Sequence, residues 1–202
     1  MNWLDRLLNI DTSGWNEWTD SSRHSLEYHR NEPTEYPVLD LLLHRYSLNS
    51  DDHIVDIGCG KGRALFYLAK QTGCLATGVE YNERVYDHLY NNLKSFGQEH
   101  QEVANIHIVQ QAAETFRFKP DQSVVYFFNP FSIKIFKEVI EHLIQSINQY
   151  PREVDIIMYY PHPEYINYLR EETPFLWLDT VNINRDFDER ERIEIFRMIP
   201  IE

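Results

Sequence analysis

Val55-Asp56-Ile57-Gly58-Cys59-Gly60-Lys61-Gly62-Arg63 runs from a short apolar strand straight into three glycines at alternate positions, followed by helix-forming residues. Glycine at those positions permits a tight, positive-φ backbone and lets a ligand approach the main chain where no Cβ intervenes. The dinucleotide fingerprint G-x-G-x-x-G would need glycine at position 63, where Arg63 stands, and a phosphate loop G-x-x-x-x-G-K-[ST] is absent. A nicotinamide-dependent oxidoreductase therefore fails on glycine spacing. The plainer alternative is a strand-to-helix turn that binds nothing, although three glycines after an Asp exceed what a turn requires.

Outward from this stretch, strands alternate with helices. Residues 53–57 read as the first strand and 63–70 as a helix stopped near Gly73. A second strand follows at 74–80. Residues 82–96 form a helix with Val85, Leu89, Leu93 and Phe96 on one face, ended by Gly97. Strands at 105–110 and 123–128 precede the clearest helix, 132–147, and a fifth strand at 154–160 leads to a short helix near 164–170. Residues 176–183 and 192–199 read as a hairpin around a charged loop. Strand–helix alternation requires right-handed crossovers, hence a three-layer α/β fold. Its sheet is mostly parallel and seven-stranded, with an antiparallel C-terminal hairpin. Before it, Pro37 suits a first helical turn, with Val38, Leu41, Leu42 and Tyr46 at helical spacing. Residues 1–36 lack such periodicity and read as an N-terminal cap or lid, leaving 37–202 as the main domain. Ligands of such sheets bind beyond the carboxyl ends of the strands.

The chain has 202 residues and a net charge of −13, from 19 Lys and Arg against 32 Asp and Glu. That balance argues against a large nucleic-acid footprint, because a polyanion gains affinity from clustered cations. Cys59 and Cys74 cannot build a disulfide framework, and no signal-peptide core or membrane-length apolar run is present, so a cytoplasmic location is expected. The spacing of His24, His29, His44 and His53 does not fit a metal ligand pair, and no metal is predicted. Nothing in the sequence signals an oligomeric state.

A strand, an acidic residue and then G-x-G-x-G resembles the first motif of the class I S-adenosylmethionine-dependent methyltransferases. The resemblance covers about residues 37–200 and extends to small bacterial methyltransferases of unassigned substrate and to protein-lysine methyltransferases with a related Gly-x-Gly-Lys-Gly-Arg loop. It implies a Rossmann-like methyltransferase fold, S-adenosyl-L-methionine as cofactor and S-adenosyl-L-homocysteine as product. Gly58, Cys59, Gly60 and Gly62 would then line the methionine moiety, while Asp56 orders the loop or reaches the amino group. Glu80, at the end of the second strand, would hold the ribose hydroxyls, and Tyr81 would touch adenine. Ala112 stands where many relatives carry an acidic residue for the adenine amino group, a departure that leaves Glu114 or a backbone carbonyl to substitute.

Asn129-Pro130-Phe131 resembles the [DN]-P-P-[YF] motif of methyltransferases that act on amino nitrogens. It implies that Asn129 and the Pro130 carbonyl accept hydrogen bonds from the acceptor nitrogen, with Phe131 packed over it. Asn129 would also border the cofactor. The second proline is missing, so Pro130 lacks the extended bias that a following proline imposes. His162 is either a base or a loop histidine. Tyr36 and Thr34 would reach the cofactor carboxylate, and Trp15, Trp18 and Tyr28 would wall the substrate. The expected function is transfer of a methyl group to an amino nitrogen of a small molecule or protein side chain, with nucleic acid disfavoured. The alternative is a non-catalytic protein that binds the same cofactor.

Overall fold

The computed structural model describes residues 2–14, 32–183 and 188–200. Trp15, Trp18 and Tyr28, expected to wall the substrate, lie outside the described residues. A short helix α1 (Trp3–Leu7) precedes α2 (Tyr36–Arg45), β1 (His53–Ile57), α3 (Arg63–Thr72), β2 (Leu75–Glu80) and α4 (Glu83–Glu99). Then come β3 (Ile106–Gln110), β4 (Val124–Phe128), α5 (Ile133–Gln149), β5 (Val154–Tyr159), α6 (Pro163–Glu172), β6 (Leu176–Asn182) and β7 (Arg192–Met198). The strands form one seven-stranded sheet in the order β3-β2-β1-β4-β5-β7-β6. The first five are parallel, and β7 enters antiparallel between β5 and β6.

Strand order reverses between β1 and β4, which pair directly. Crossovers leave β1 on opposite sides there, opening a crevice at the carboxyl ends of both strands. Side chains on β1 alternate between two cores. Ile54 joins the layer of α2, α3 and α4, with Leu39, Leu65, Phe66, Leu89 and Phe96. Val55 and Ile57 join the layer of α5 and α6, with Phe136, Ile140, Leu143 and Leu169.

Two boundaries differ from the sequence expectation. Gly97 does not end α4, which continues to Glu99 and closes when the His100 N–H donates to the Phe96 carbonyl at 2.9 Å. Gly97 is needed for a close approach instead, since a Cβ there would sit 3.0 Å from Val103 Cγ2. Residues 2–14 contain α1 and bury Leu8 and Ile10 in the core, which the absence of clean periodicity did not announce. Gly73 does end α3, in the left-handed conformation at φ +73°.

Candidate active site

β1 and β2 end side by side, and their last residues carry the first half of the site. Beyond β1 the chain turns through Gly58, Gly60 and Gly62 at φ +77°, +58° and +90°. The Gly58 and Cys59 N–H groups both donate to the Val79 carbonyl, at 2.9 and 3.1 Å, pinning the turn to β2. A Cβ on Gly58 would lie 2.6 Å from Pro130 Cβ, so the glycine turn and the Asn129-Pro130 turn are in direct contact. Gly62 has a different reason to be glycine. Its Cβ would meet Phe66 at 2.5 Å and Leu89 at 2.7 Å, inside the packing of α3 on α4. Gly62→Ala should therefore cost about 2–3 kcal/mol through overpacking and a left-handed backbone. Urea unfolding checks this as a lower midpoint at unchanged slope.

Glu80 closes β2 and is buried. Its Oε2 accepts the Gly60 N–H at 3.0 Å and its Oε1 the Asn82 N–H at 2.8 Å. Burial raises its pKa, against backbone donors that lower it. Asp56, also buried, has its pKa pushed up to about 8, first by burial and then by the Glu80 charge. Two carboxylates taken out of water beside each other disfavour joint ionisation, and a cationic ligand relieves both. Burial, then Asp56 and Glu80, holds the Cys59 thiol protonated, so it is no nucleophile.

Asp56, Gly58, Cys59, Lys61 and Arg63 line one pocket, roofed by Thr34. An acid and two cations lining one pocket suit the amino-acid end of a nucleoside sulfonium, with its own ammonium and carboxylate. Arg63 is anchored from the N-terminal segment. Its Nε donates to Thr12 Oγ1 at 2.8 Å and lies 3.6 Å from Asp5 Oδ1, and its guanidinium stacks 5.0 Å from the Tyr36 ring centre. Asp5 is buried and also accepts the Thr12 N–H at 3.0 Å and hydroxyl at 2.8 Å. Tyr36 thus does not take its expected place against the cofactor carboxylate. Its hydroxyl donates to Asp5 at 2.6 Å, and burial, followed by that carboxylate, keeps it protonated. Thr34 does border the pocket, its Oγ1 2.8 Å from the Tyr126 hydroxyl.

Beyond β4, Asn129 adopts φ +40°, and beyond β5 Tyr160 adopts φ +51°. Both border a cavity of about 510 Å³ whose walls include Phe128, Tyr159, Glu35 and Glu191. Glu32, Pro33 and Phe128 line this cavity and the first pocket alike, so the two adjoin. Phe131 corrects an expectation. It is fully buried, packs edge-on against Phe127 with centres 6.1 Å apart, and its carbonyl accepts the Tyr165 hydroxyl. After Pro130 the chain dives towards α5 and carries that ring into the core. The aromatic wall of the cavity comes from Phe128, Tyr159 and Tyr160 instead.

Tyr81 is 36% exposed just past β2, where a flat ligand face could rest on it. Ala112 precedes a short 3-10 helix (Ala113–Thr115), and its carbonyl accepts the Thr115 N–H at 3.0 Å and hydroxyl at 2.8 Å. His162 caps α6, its Nδ1 accepting the Glu164 N–H at 3.4 Å. Among the described residues no group of three or more His, Cys, Asp or Glu is arranged to hold a metal ion, and no helix is long and apolar enough to cross a membrane. Reading the sequence missed Asp5, Thr12, Lys61 and Arg63. For Arg63 the signal was present, as a cation one residue past the third glycine.

A family model described as a methyltransferase domain matches residues 54–153. A histone-lysine N-methyltransferase, H3 lysine-79 specific, from Dictyostelium discoideum is 42% identical over 60 residues, which are 30% of this chain and 3% of that protein's length. An RNA methyltransferase from Salinibacter ruber, solved in complex with S-adenosyl-L-homocysteine, superposes with a TM-score of 0.59 at 17% identity, covering 85% of this chain and 95% of its own. An S-adenosylmethionine-dependent methyltransferase from Thiobacillus denitrificans, also in complex with S-adenosyl-L-homocysteine, gives 0.59 at 14% identity, covering 84% and 93%. Since one of these folds serves an RNA methyltransferase, the net charge of −13 does not by itself exclude a nucleic-acid acceptor. Residues 54–153, with the glycine turn and the paired carboxylates, are thus similar to a methyltransferase domain, and the chain shares the fold of the two proteins solved with S-adenosyl-L-homocysteine.

Proposed function

We propose that the protein methylates an amino nitrogen, on a small molecule or a protein side chain. One observation carries this reading. Asn129, held at φ +40° at the tip of β4, is followed by Pro130 in contact with Gly58, so the acceptor turn rests on the cofactor turn. A side-chain amide and a backbone carbonyl placed there can accept two hydrogen bonds from one nitrogen and aim its lone pair. S-adenosylmethionine, when bound, supplies a methyl group already activated by its sulfonium. What remains for the chain is to bind, orient and exclude water. Asp56 and Glu80 take the ammonium and the ribose hydroxyls, Arg63 and Lys61 the carboxylate, and Tyr81 and the Ala112 region border the adenine. Residues 1–36 act as a cap over residues 37–202, a reading supported by Thr12, Gly14, Glu32 and Thr34, which all line the cofactor pocket.

Titration calorimetry with S-adenosylhomocysteine, together with radiolabelled methyl transfer into fractionated extract, tests this. Glu80→Gln retains one acceptor oxygen where two backbone N–H groups now bind, and its cofactor affinity should fall about tenfold, equivalent to ~1.4 kcal/mol. Absence of binding heat with the fold intact would sink the proposal. Tight binding with no methyl transfer to any fraction would favour a non-catalytic cofactor-binding protein.

A further inference from the structure

We infer that Asn92, a buried residue of α4, is a positioning residue for the cofactor. By holding residues 11–14 against the glycine turn, it sets the Lys61 ammonium for the carboxylate at the cofactor's amino-acid end. The inference rests on the reading above that Lys61 takes this carboxylate, and it adds a residue outside the cofactor pocket.

Val85, Leu89, Asn92 and Phe96 are the buried residues of α4. Asn92 interrupts this apolar stripe, and an amide there is disfavoured twice, by helix propensity and by burial of a polar group. Its bonds account for it. Oδ1 accepts the Asp11 N–H at 2.9 Å, while Nδ2 donates to the Asp11 carbonyl at 3.1 Å and to the Lys61 carbonyl at 2.9 Å. One side chain thus ties together two main-chain segments, 81 and 31 residues away from it. Asn92 itself lies outside the cofactor pocket and borders a separate outer cavity with Arg6, Asn9 and His88.

The bonds continue along the N-terminal segment without a gap. Asp11 is held by Asn92, the Thr12 hydroxyl by Arg63 Nε, and the Ser13 and Gly14 carbonyls by Lys61 Nζ, at 2.5 and 3.5 Å. Thr12 and Gly14 line the cofactor pocket beside Lys61 and Arg63, so the segment is both a wall of the pocket and the support for its cations. An ammonium on a four-carbon stem is a mobile charge with three donors. Two of those donors engage the Ser13 and Gly14 carbonyls, and the third, with the charge, serves an anion in the pocket. The Lys61 carbonyl and residue 11 share one amide, so the base of the lysine and the carbonyls that receive its far end keep a fixed separation. A charge held in advance at its working position loses less freedom when the ligand arrives. Without the Asn92 amide, the segment and the ammonium move independently, and binding has to order both.

Calorimetry on the full chain with two ligands tests this: S-adenosylhomocysteine, and methylthioadenosine, which has the same nucleoside thioether and no amino-acid end. Asn92→Ala should bind S-adenosylhomocysteine roughly tenfold more weakly, the scale of one lost charge-assisted hydrogen bond, and methylthioadenosine within about twofold of the parent. Lys61→Met, at the other end of the same chain of bonds, should show the same selective loss. Adding Asn92→Ala to Lys61→Met should then weaken S-adenosylhomocysteine by less than about threefold more, because the two act through one contact. A loss of equal size for both ligands in Asn92→Ala assigns Asn92 to holding the fold and overturns the inference. So does full S-adenosylhomocysteine affinity in that variant, or losses that multiply in the double variant. Lys61→Met decides the matter even where the alanine variant does not fold, since unchanged affinity there removes the contact through which Asn92 acts. No binding heat for S-adenosylhomocysteine in the folded parent overturns the cofactor reading itself, whereas each of the other adverse results overturns the role of Asn92 and leaves cofactor binding standing.

Discussion

Gly58→Ala should reduce kcat by at least a hundredfold while leaving a folded protein. The added methyl group falls 2.6 Å from Pro130 Cβ, and the backbone there stands at φ +77°, where an alanine is strained. Strain at one such position costs about 1–2 kcal/mol, which a domain of this size survives. The proline ring is rigid, so the acceptor turn must move instead. A displacement of ~1 Å in a positioning group is worth about a hundredfold in rate. Cofactor affinity should suffer less than turnover. A kcat within tenfold of the parent would show that the Asn129-Pro130 turn does not position the acceptor.

Asp56→Asn should weaken cofactor binding by roughly 30-fold or more, the loss of a charge-assisted bond to a buried carboxylate. The same substitution should stabilise the cofactor-free protein at alkaline pH. In the folded state Asp56 holds its proton up to about pH 8, whereas in the unfolded chain it is released near ~3.9. Between those values the native state binds more protons, so stability falls as pH rises through the window. The variant lacks that decline and should be more stable than the parent at pH 8 by a few kcal/mol, order of magnitude. For the parent at pH 7, cofactor binding should release close to one proton, seen by calorimetry in two buffers of different ionisation enthalpy. Equal affinity in the two proteins, with no proton release, would remove Asp56 from the binding site.

The strand–helix alternation was legible because its signals are local and periodic. Val85, Leu89 and Phe96 announce the buried face of α4 without reference to anything distant. The glycine turn and Glu80 were legible for the same reason, since strand ends and glycines mark positions along the chain. What the sequence could not show is which way a residue faces after a turn. Phe131 sits next to Pro130 in a motif that suggested an acceptor contact, yet the backbone carries its ring into the core. Tyr36 was expected to face the cofactor, yet its hydroxyl is bonded to Asp5, a partner in a segment without periodicity. The make-up of the second cavity was equally hidden, since Glu32, Glu35 and Glu191 come from opposite ends of the chain.

Asp5 satisfies Thr12 and Tyr36 by hydrogen bonds and Arg63 by charge, all through one buried carboxylate. Substitutions at these four positions should therefore be far from additive: once Asp5 is neutralised, removing the Tyr36 hydroxyl costs little more. The amino-terminal segment and the mouth of the cofactor pocket are therefore held by one shared buried charge.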